Sequence, residues 1–212
     1  MILCDIGNSF LHFYQKGKVW KEASDKITQK DPKELILYIS VNDNSLESLL
    51  YSHPKCFDLA PYLHLDSTYK GLGVDRVAVC KAVSDGVIVD AGSAITIDVM
   101  QDDIHLGGYI MPGISLYKKA FSSISALDLE ISLSADLDAF PQNTKDALSY
   151  GVLKSIILMI ENTAKNKRVY FTGGDGKFFS RFFKNSIYNE LLIFDGMQKA
   201  IFENFTQKGI YL

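Results

Sequence analysis

Two stretches of this chain set a carboxylate and then a glycine at the end of an apolar run: Ile2-Leu-Cys-Asp5-Ile-Gly7-Asn8 and Val87-Ile-Val-Asp90-Ala-Gly92-Ser93. A carboxylate at the end of a buried strand can hold a metal or a metal-bound water. The glycine lets the backbone approach a phosphate closely, and a hydroxyl or amide just beyond it can donate to phosphate oxygens. Asn8 and Ser9 supply those donors in the first stretch, Ser93 and Thr96 in the second. A lone Asp-x-Gly is equally an Asp-stabilised turn at a strand end. Two copies facing each other across a duplicated fold favour phosphate binding.

Three further glycine-bearing segments could take part. Thr172-Gly-Gly-Asp175-Gly176 follows a strand and offers a flat, side-chain-free surface to a base or sugar, or serves simply as a strand-to-helix turn. It is no Walker A loop, because Phe171 stands where the first glycine belongs and Phe178 replaces the Ser/Thr. Gly71-Leu-Gly73-Val-Asp75-Arg76 lacks the third glycine of a dinucleotide fingerprint and has no clear strand before it. Asp75 falls in the first turn of a helix, where the dipole favours its ionised form, next to the cation of Arg76. There Asp75 could accept the proton of a substrate hydroxyl while Arg76 holds an anionic group; the alternative is a helix-start Asp with a surface Arg. In Gly107-Gly-Tyr-Ile-Met-Pro-Gly113 a strand and tight turn precede a helix, so its glycines permit close approach of a backbone or ligand, or mark turn chemistry alone.

Other chemistries find little support. His12, His53, His64 and His105 make no HxH or HExxH pairing, and each reads as a surface or partly packed side chain. Ser93 is not in a GxSxG elbow, since Ala91 and Gly92 precede it and Ala-Ile follows. Cys4 and Cys80 lie in apolar surroundings and read as inert core thiols, and Phe178, Phe179, Phe182 and Phe183 are spaced like a buried helix face.

The elements that must position these residues can be read from the same pattern. Residues 1–7 form a short buried strand, Phe10 to Tyr14 a second, and Lys16-Gly-Lys18 a hairpin turn into a third starting at Val19. Leu35 to Val41 is β-like, Ser45 to Tyr51 a weak helix, and Val74 to Val83 a helix with Val74, Val77, Ala78 and Val83 apolar. The opening pattern then returns at an offset of 85 residues: Asp5 maps onto Asp90, the Lys16 to Lys18 turn onto Gln101 to Asp103, and Val19 onto Ile104. This repeat implies two similar halves, roughly 1–84 and 85–212. In the second half, Gly113 to Ser123 and Asn143 to Lys165 read as helices. The latter is capped by Asn143 and buried through Ala147, Val152, Ile156, Ile157 and Ile160. Arg168 to Thr172 reads as a strand and Gly196 to Phe205 as a terminal helix, so strands and helices interleave in an α/β chain.

Composition narrows the function classes. A chain of 212 residues, 47% hydrophobic and 22% charged, can bury a substantial core. Its net charge of −3 lacks the basic excess of a protein that grips nucleic acid through phosphates, and Lys165, Lys167 and Arg168 read as a solvated helix end. Three scattered cysteines without CxxC argue against a disulfide framework or zinc site and fit a reducing compartment. The N-terminus has no signal-peptide character, and the apolar run Ile156 to Ile160 falls far short of the roughly 20 residues a membrane helix needs. A soluble, cytoplasmic protein is expected.

The ordered set DIGNS, GVDR, DAGSAIT, GGYIMPG and TGGD, running from Asp5 to Asp175, resembles the type III pantothenate kinases. The resemblance implies the actin and sugar-kinase fold: two ribonuclease H-like halves with a cleft between them. It implies phosphorylation of pantothenate by ATP, the first committed step of coenzyme A synthesis, with Mg²⁺. It also implies a monovalent cation, potassium or ammonium, on Asp90. ATP would then meet the first loop through Asp5, Ile6, Gly7, Asn8, Ser9, Phe10, Leu11 and His12, and elsewhere Ser93, Gly173 and Gly174. Pantothenate would meet Tyr69, Gly73, Val74, Asp75, Arg76 and Thr144, with Asp75 as proton acceptor. A homodimer is implied, with the pantothenate site completed across the interface. Ser9 and Ser93 stand where the family usually has threonine and keep the hydroxyl; Val74 replaces a smaller residue.

Three rival readings stay open at this level. One is a non-catalytic regulator of the same fold, another a kinase for a different small alcohol. The third is a ribonuclease H-like nuclease with Asp5, Asp75 and Asp90 around two metals, which the acidic balance and the third glycine motif oppose.

Overall fold

A computed structural model of the chain describes residues 1–7, 10–23, 34–41, 53–124 and 130–209. They divide into two compact units, the first comprising Met1–Ser84, Asp103–His105 and Leu191–Leu212, the second Asp85–Asp102 and Leu106–Glu190.

The first unit is built on β1 (Ile2–Ile6), β2 (Phe10–Gln15), β3 (Lys18–Ala23), β4 (Ile36–Ser40) and β5 (Cys56–Asp58), in the spatial order β3-β2-β1-β4-β5. β1 runs antiparallel to β2 and parallel to β4. As the central strand it is covered on both faces, which is why Ile2 to Ile6 is a nearly continuous apolar run with Leu3, Cys4 and Ile6 all buried. Helices α1 (Val74–Lys81) and α5 (Leu192–Asn204) pack together in this unit. Their backbones come so close that a Cβ on Gly196 would collide with the Ala78 carbonyl. A two-residue strand, β6 (Asp66–Ser67), pairs in parallel with Ile104 and His105.

The second unit repeats the plan with β7 (Gly86–Ala91), β8 (Ala94–Gln101), β9 (Ile104–Pro112), β10 (Val169–Thr172) and β11 (Ser186–Tyr188). The order is β11-β10-β7-β8-β9, with β7 antiparallel to β8 and parallel to β10, so β7 occupies the place of β1. Both hairpins turn through two residues of positive φ, Lys16 and Gly17 (47° and 81°), then Asp102 and Asp103 (53° and 62°). That is the geometry two-residue hairpins adopt to match strand twist. The duplication is thus structural, but the turn falls at an offset of 86 rather than 85. The register differs because Asp5 pairs with His12 whereas Asp90 pairs with Thr96, and β8 is longer than β2.

Helices α2 (Ile114–Ile124), α3 (Thr144–Ala164) and α4 (Gly176–Ser180) complete the second unit. The Asn143 side chain caps α3 by accepting the Asp146 backbone N–H at 3.0 Å, while its amide donates to the Asp146 carboxylate at 2.7 Å. Val152, Ile156, Ile157 and Ile160 are buried as the periodicity predicts. Ala147 is exposed instead, and Leu148 and Leu153 take that stripe, because the first turn of α3 projects beyond the sheet core.

Other expectations are corrected as well. α5 starts four residues before Gly196, since Leu192, Ile193 and Phe194 are buried and extend its apolar face. Phe178 and Phe179 are core residues, but α4 ends at Ser180, and Phe182 beyond it is 39% exposed. His105 is 2% exposed and so is no surface side chain. The helix expected at Ser45 to Tyr51 lies outside the described residues. Among the described residues, no helix is long and apolar enough to cross a membrane.

Candidate active site

In the first unit, Asp5 lies near the carboxyl end of β1 and is 8% exposed, with His12 Nδ1 at 3.5 Å from its Oδ2 across the β1–β2 pairing. The following turn is closed by Gly7 N–H donating to the Phe10 carbonyl at 3.1 Å; a Cβ on Gly7 would stand 3.2 Å from that oxygen. Ile6 and Leu11 are core residues, so only their backbones could face a nucleotide. Phe10 is exposed, and Asn8 and Ser9 lie outside the described residues.

α1 carries the second group. Gly73 caps it in an extended conformation, and a Cβ there would strike Asp75 Oδ1, so glycine is what lets the carboxylate fold back over the helix start. Asp75 Oδ1 accepts the Arg76 backbone N–H at 2.8 Å. Burial pushes the Asp75 carboxyl above the ordinary aspartate range, against the pull of that bond, and the charges of Asp5 and Arg76 act in opposite senses on it. Val74 is half-buried. Arg76 is only 5% exposed, which excludes the surface-Arg alternative. Its guanidinium lies 5.0 Å from the centroid of the Tyr69 ring, and Nη1 donates to Tyr69 Oη at 3.4 Å. The structure therefore brings Tyr69 to Arg76, a side chain that composition and spacing alone did not single out.

In the second unit three motifs converge. Asp90 is the penultimate residue of β7, and the loop beyond is closed by Gly92 N–H to the Ala94 carbonyl at 3.0 Å. Gly113 donates its N–H to the Ser93 carbonyl at 3.1 Å, and a Cβ on Gly113 would collide with the Gly92 carbonyl. Gly173, at φ 80°, faces the loop from the end of β10; a Cβ there would land on Asp90 Oδ1 and 2.6 Å from the Ala91 carbonyl oxygen. Asp175 N–H donates to that same carbonyl at 2.9 Å. Asp90 Oδ1 and Ala91 O thus line one small space that only glycine leaves open. Ser93 and Gly174 are exposed.

Where these motifs end, a cavity of about 270 Å³ is lined by Ile114, Ser115, Lys118, Glu130, Ile131 and Asp175. Lys118 and Glu130 form an ion pair of 3.0 Å, and burial raises the Asp175 carboxyl above its ordinary range. Thr144 lies exposed at the first position of α3. Sequence reasoning missed the Lys118–Glu130 pair, whose members are twelve positions apart, and no local pattern announces it. It also misjudged how deeply His105 is buried. Hydropathy misleads along β9, because apolar Ile104, Leu106 and Ile110 face outward while His105 is buried.

Comparison with known proteins supplies the family. The model of the type III pantothenate kinase family matches residues 61–166. A curated type III pantothenate kinase from Wolinella succinogenes is 56% identical over 204 residues, covering 96% of this chain and 97% of its own. A solved structure from Campylobacter jejuni, described as a Baf family transcriptional activator, superposes with a TM-score of 0.89 at 48% identity, covering 96% of this chain and 98% of that one. At the level of fold alone, a structure described as a 2-dehydro-3-deoxygalactonokinase from Sinorhizobium meliloti matches with a TM-score of 0.61 at 10% identity, covering 96% of each chain. That likeness shows a shared α/β fold. With near-full-length identity to curated members above one half, the chain belongs to the type III pantothenate kinase family.

Proposed function

We propose that this enzyme transfers the γ-phosphoryl group of ATP to the primary hydroxyl of pantothenate, giving 4′-phosphopantothenate in the first step of coenzyme A biosynthesis. The observation that carries this reading is the 56% identity, over 96% of the chain, to a curated type III pantothenate kinase.

The site residues support a division of labour. Asp75 takes the proton of the attacking hydroxyl; its burial keeps the carboxylate a stronger base than an exposed aspartate. Arg76, buried and stacked on Tyr69, pairs with the carboxylate of pantothenate, which orients the hydroxyl at the other end of the molecule. Ser93 and the backbone around Gly92, Gly173 and Gly174 face the phosphates, and the cavity beside Asp175 takes the nucleoside. Asp5, with Gly7 to His12, forms the other phosphate loop.

The donor set also suits cations. Asp90 Oδ1 and Ala91 O are hard oxygen donors around the space that Gly173 leaves, fitting potassium or ammonium, and the Asp5 carboxylate suits the Mg²⁺ of the nucleotide. Bound there, such ions supply positive charge against the phosphate oxygens. We also propose that the enzyme works as a homodimer in the cytoplasm, where its free cysteines Cys4, Cys56 and Cys80 stay reduced. A net charge of −3 gives no support for carrying over DNA binding from the activator description of the Campylobacter jejuni relative.

The test is ADP release with pantothenate, ATP and Mg²⁺, in potassium and in sodium buffer, beside Asp75→Asn. Pantothenate-dependent turnover that needs potassium and falls on the order of 10²- to 10⁴-fold in the variant is expected. Turnover with a different alcohol only would refute the substrate, and near-normal activity in Asp75→Asn would refute the base.

A further inference from the structure

We infer that His105 is a positioning residue for the acceptor subsite: through Ser67 it sets the backbone at Tyr69, and through Tyr69 the guanidinium of Arg76. The inference rests on the function proposed above, in which Arg76 takes the carboxylate of the acceptor.

His105 is polar and only 2% exposed. A buried imidazole costs stability without a hydrogen-bond partner, and here its Nδ1 lies 2.7 Å from Ser67 Oγ. The short parallel pairing of β6 with the start of β9 creates that contact, because it places Ser67 directly beside His105. The same Ser67 oxygen accepts the Tyr69 backbone N–H at 3.0 Å. A side-chain oxygen bonded to the backbone two residues on fixes the direction in which the chain leaves the strand. Residues 68–73 form neither helix nor strand, and Gly71 turns at φ 72°, so the Ser67 hydroxyl is an anchor for this segment.

What the anchor holds is the Tyr69 ring. It lies 6.0 Å from the His105 ring centroid at 51°, and 5.0 Å from the Arg76 guanidinium carbon. A guanidinium held over an aromatic face has its position set by that ring, so the Tyr69 ring helps set where Arg76 presents its charge. The His105–Ser67–Tyr69 chain therefore acts on acceptor binding. It does not act on proton transfer, because the Asp75 carboxylate is held by the Arg76 backbone N–H inside α1.

Steady-state kinetics of the full-length enzyme with pantothenate and ATP would test this in Ser67→Ala, His105→Leu and His105→Asn, where the asparagine amide can replace the Nδ1 bond. Ser67→Ala and His105→Leu should raise KM for pantothenate about five- to tenfold, with kcat and KM for ATP within about twofold of wild type. His105→Asn should stay near wild type, and the double variant Ser67→Ala/His105→Leu should be no worse than the weaker single, as for two members of one chain. Should His105→Leu fail to fold, Ser67→Ala decides alone, since its side chain is only half-buried. An unchanged KM for pantothenate in Ser67→Ala overturns the inference, and so does a matched loss in kcat and in KM for both substrates, which is what a merely structural role gives. No pantothenate-dependent turnover in the wild type would overturn the functional reading and this inference with it; wild-type turnover beside an indifferent Ser67→Ala overturns the inference alone.

Discussion

The Asp75 carboxylate accepts the backbone N–H of its own neighbour, Arg76, at 2.8 Å, and the Arg76 side chain runs to the Tyr69 ring. In the proposed mechanism, one residue of α1 thus steadies the base through its main chain and serves acceptor binding through its side chain. The two roles separate experimentally, because a change of the Arg76 side chain leaves the N–H in place.

Arg76→Gln should therefore raise KM for pantothenate about 10- to 100-fold, the scale of a lost hydrogen bond to a charged group, while KM for ATP holds. Burial raises the Asp75 carboxyl, and the Arg76 charge opposes that shift, so removing the charge raises it further. The acid limb of kcat/KM should then move to higher pH than in wild type. A limb that stays in place would mean that Asp75 is not the group titrating.

As the proposed general base, Asp75 also links activity to stability. Burial holds its folded pKa above the unfolded value, so the ionised carboxylate costs stability at every pH above the folded value, and the cost vanishes below the unfolded one. Asp75→Asn should melt higher than wild type at neutral pH, with the gain shrinking as the pH falls towards the ordinary aspartate range near about 3.9. Thermal unfolding at three pH values checks this, and a variant that melts lower at neutral pH would contradict it. The expected pairing of higher stability with lost turnover is the trade-off of a buried catalytic charge.

Gly173 and Gly174 offer a matched pair. Gly173 sits at φ 80° with Asp90 Oδ1 and the Ala91 carbonyl where its Cβ would go, whereas nothing lies within 4 Å of a Cβ on Gly174. Gly173→Ala should lose about 1–3 kcal/mol of stability and raise KM for ATP. Gly174→Ala should keep wild-type stability within about 0.5 kcal/mol. Equal behaviour of the two variants would show that the second loop tolerates displacement and does not set the phosphate site.

Which features are legible in the sequence depends on the kind of pattern that makes them. Asp5 and Asp90 announced themselves because a strand end, a carboxylate and a glycine are contiguous, and the repeated pattern fixed the equivalence of β1 and β7. The Asn143 cap was legible for the same reason, its partner Asp146 being three residues on. What stayed hidden was made by pairing across the chain. Ser67 meets His105 only because β6 joins β9, and Lys118 meets Glu130 only through the fold of the second unit. The exposure of Ala147 and Phe182 was missed because helical spacing gives the direction of a side chain and not where the neighbouring layer ends.

Thr144 and its neighbour Asn143 allow a final separation of structure from binding. Asn143 accepts the Asp146 N–H at 3.0 Å and donates to its carboxylate at 2.7 Å, whereas Thr144 is exposed at the next position. Removing the cap should cost about 1 kcal/mol, with α3 fraying at its start. For a chain of this size, that is a drop in Tm of about 2–4 °C. Thr144→Ala removes no cap and should leave Tm near wild type. If Thr144 contacts the acceptor as the family resemblance implies, that variant instead raises KM for pantothenate. A Thr144→Ala enzyme with unchanged kinetics would remove Thr144 from the acceptor site and leave its place on α3 a matter of helix geometry alone.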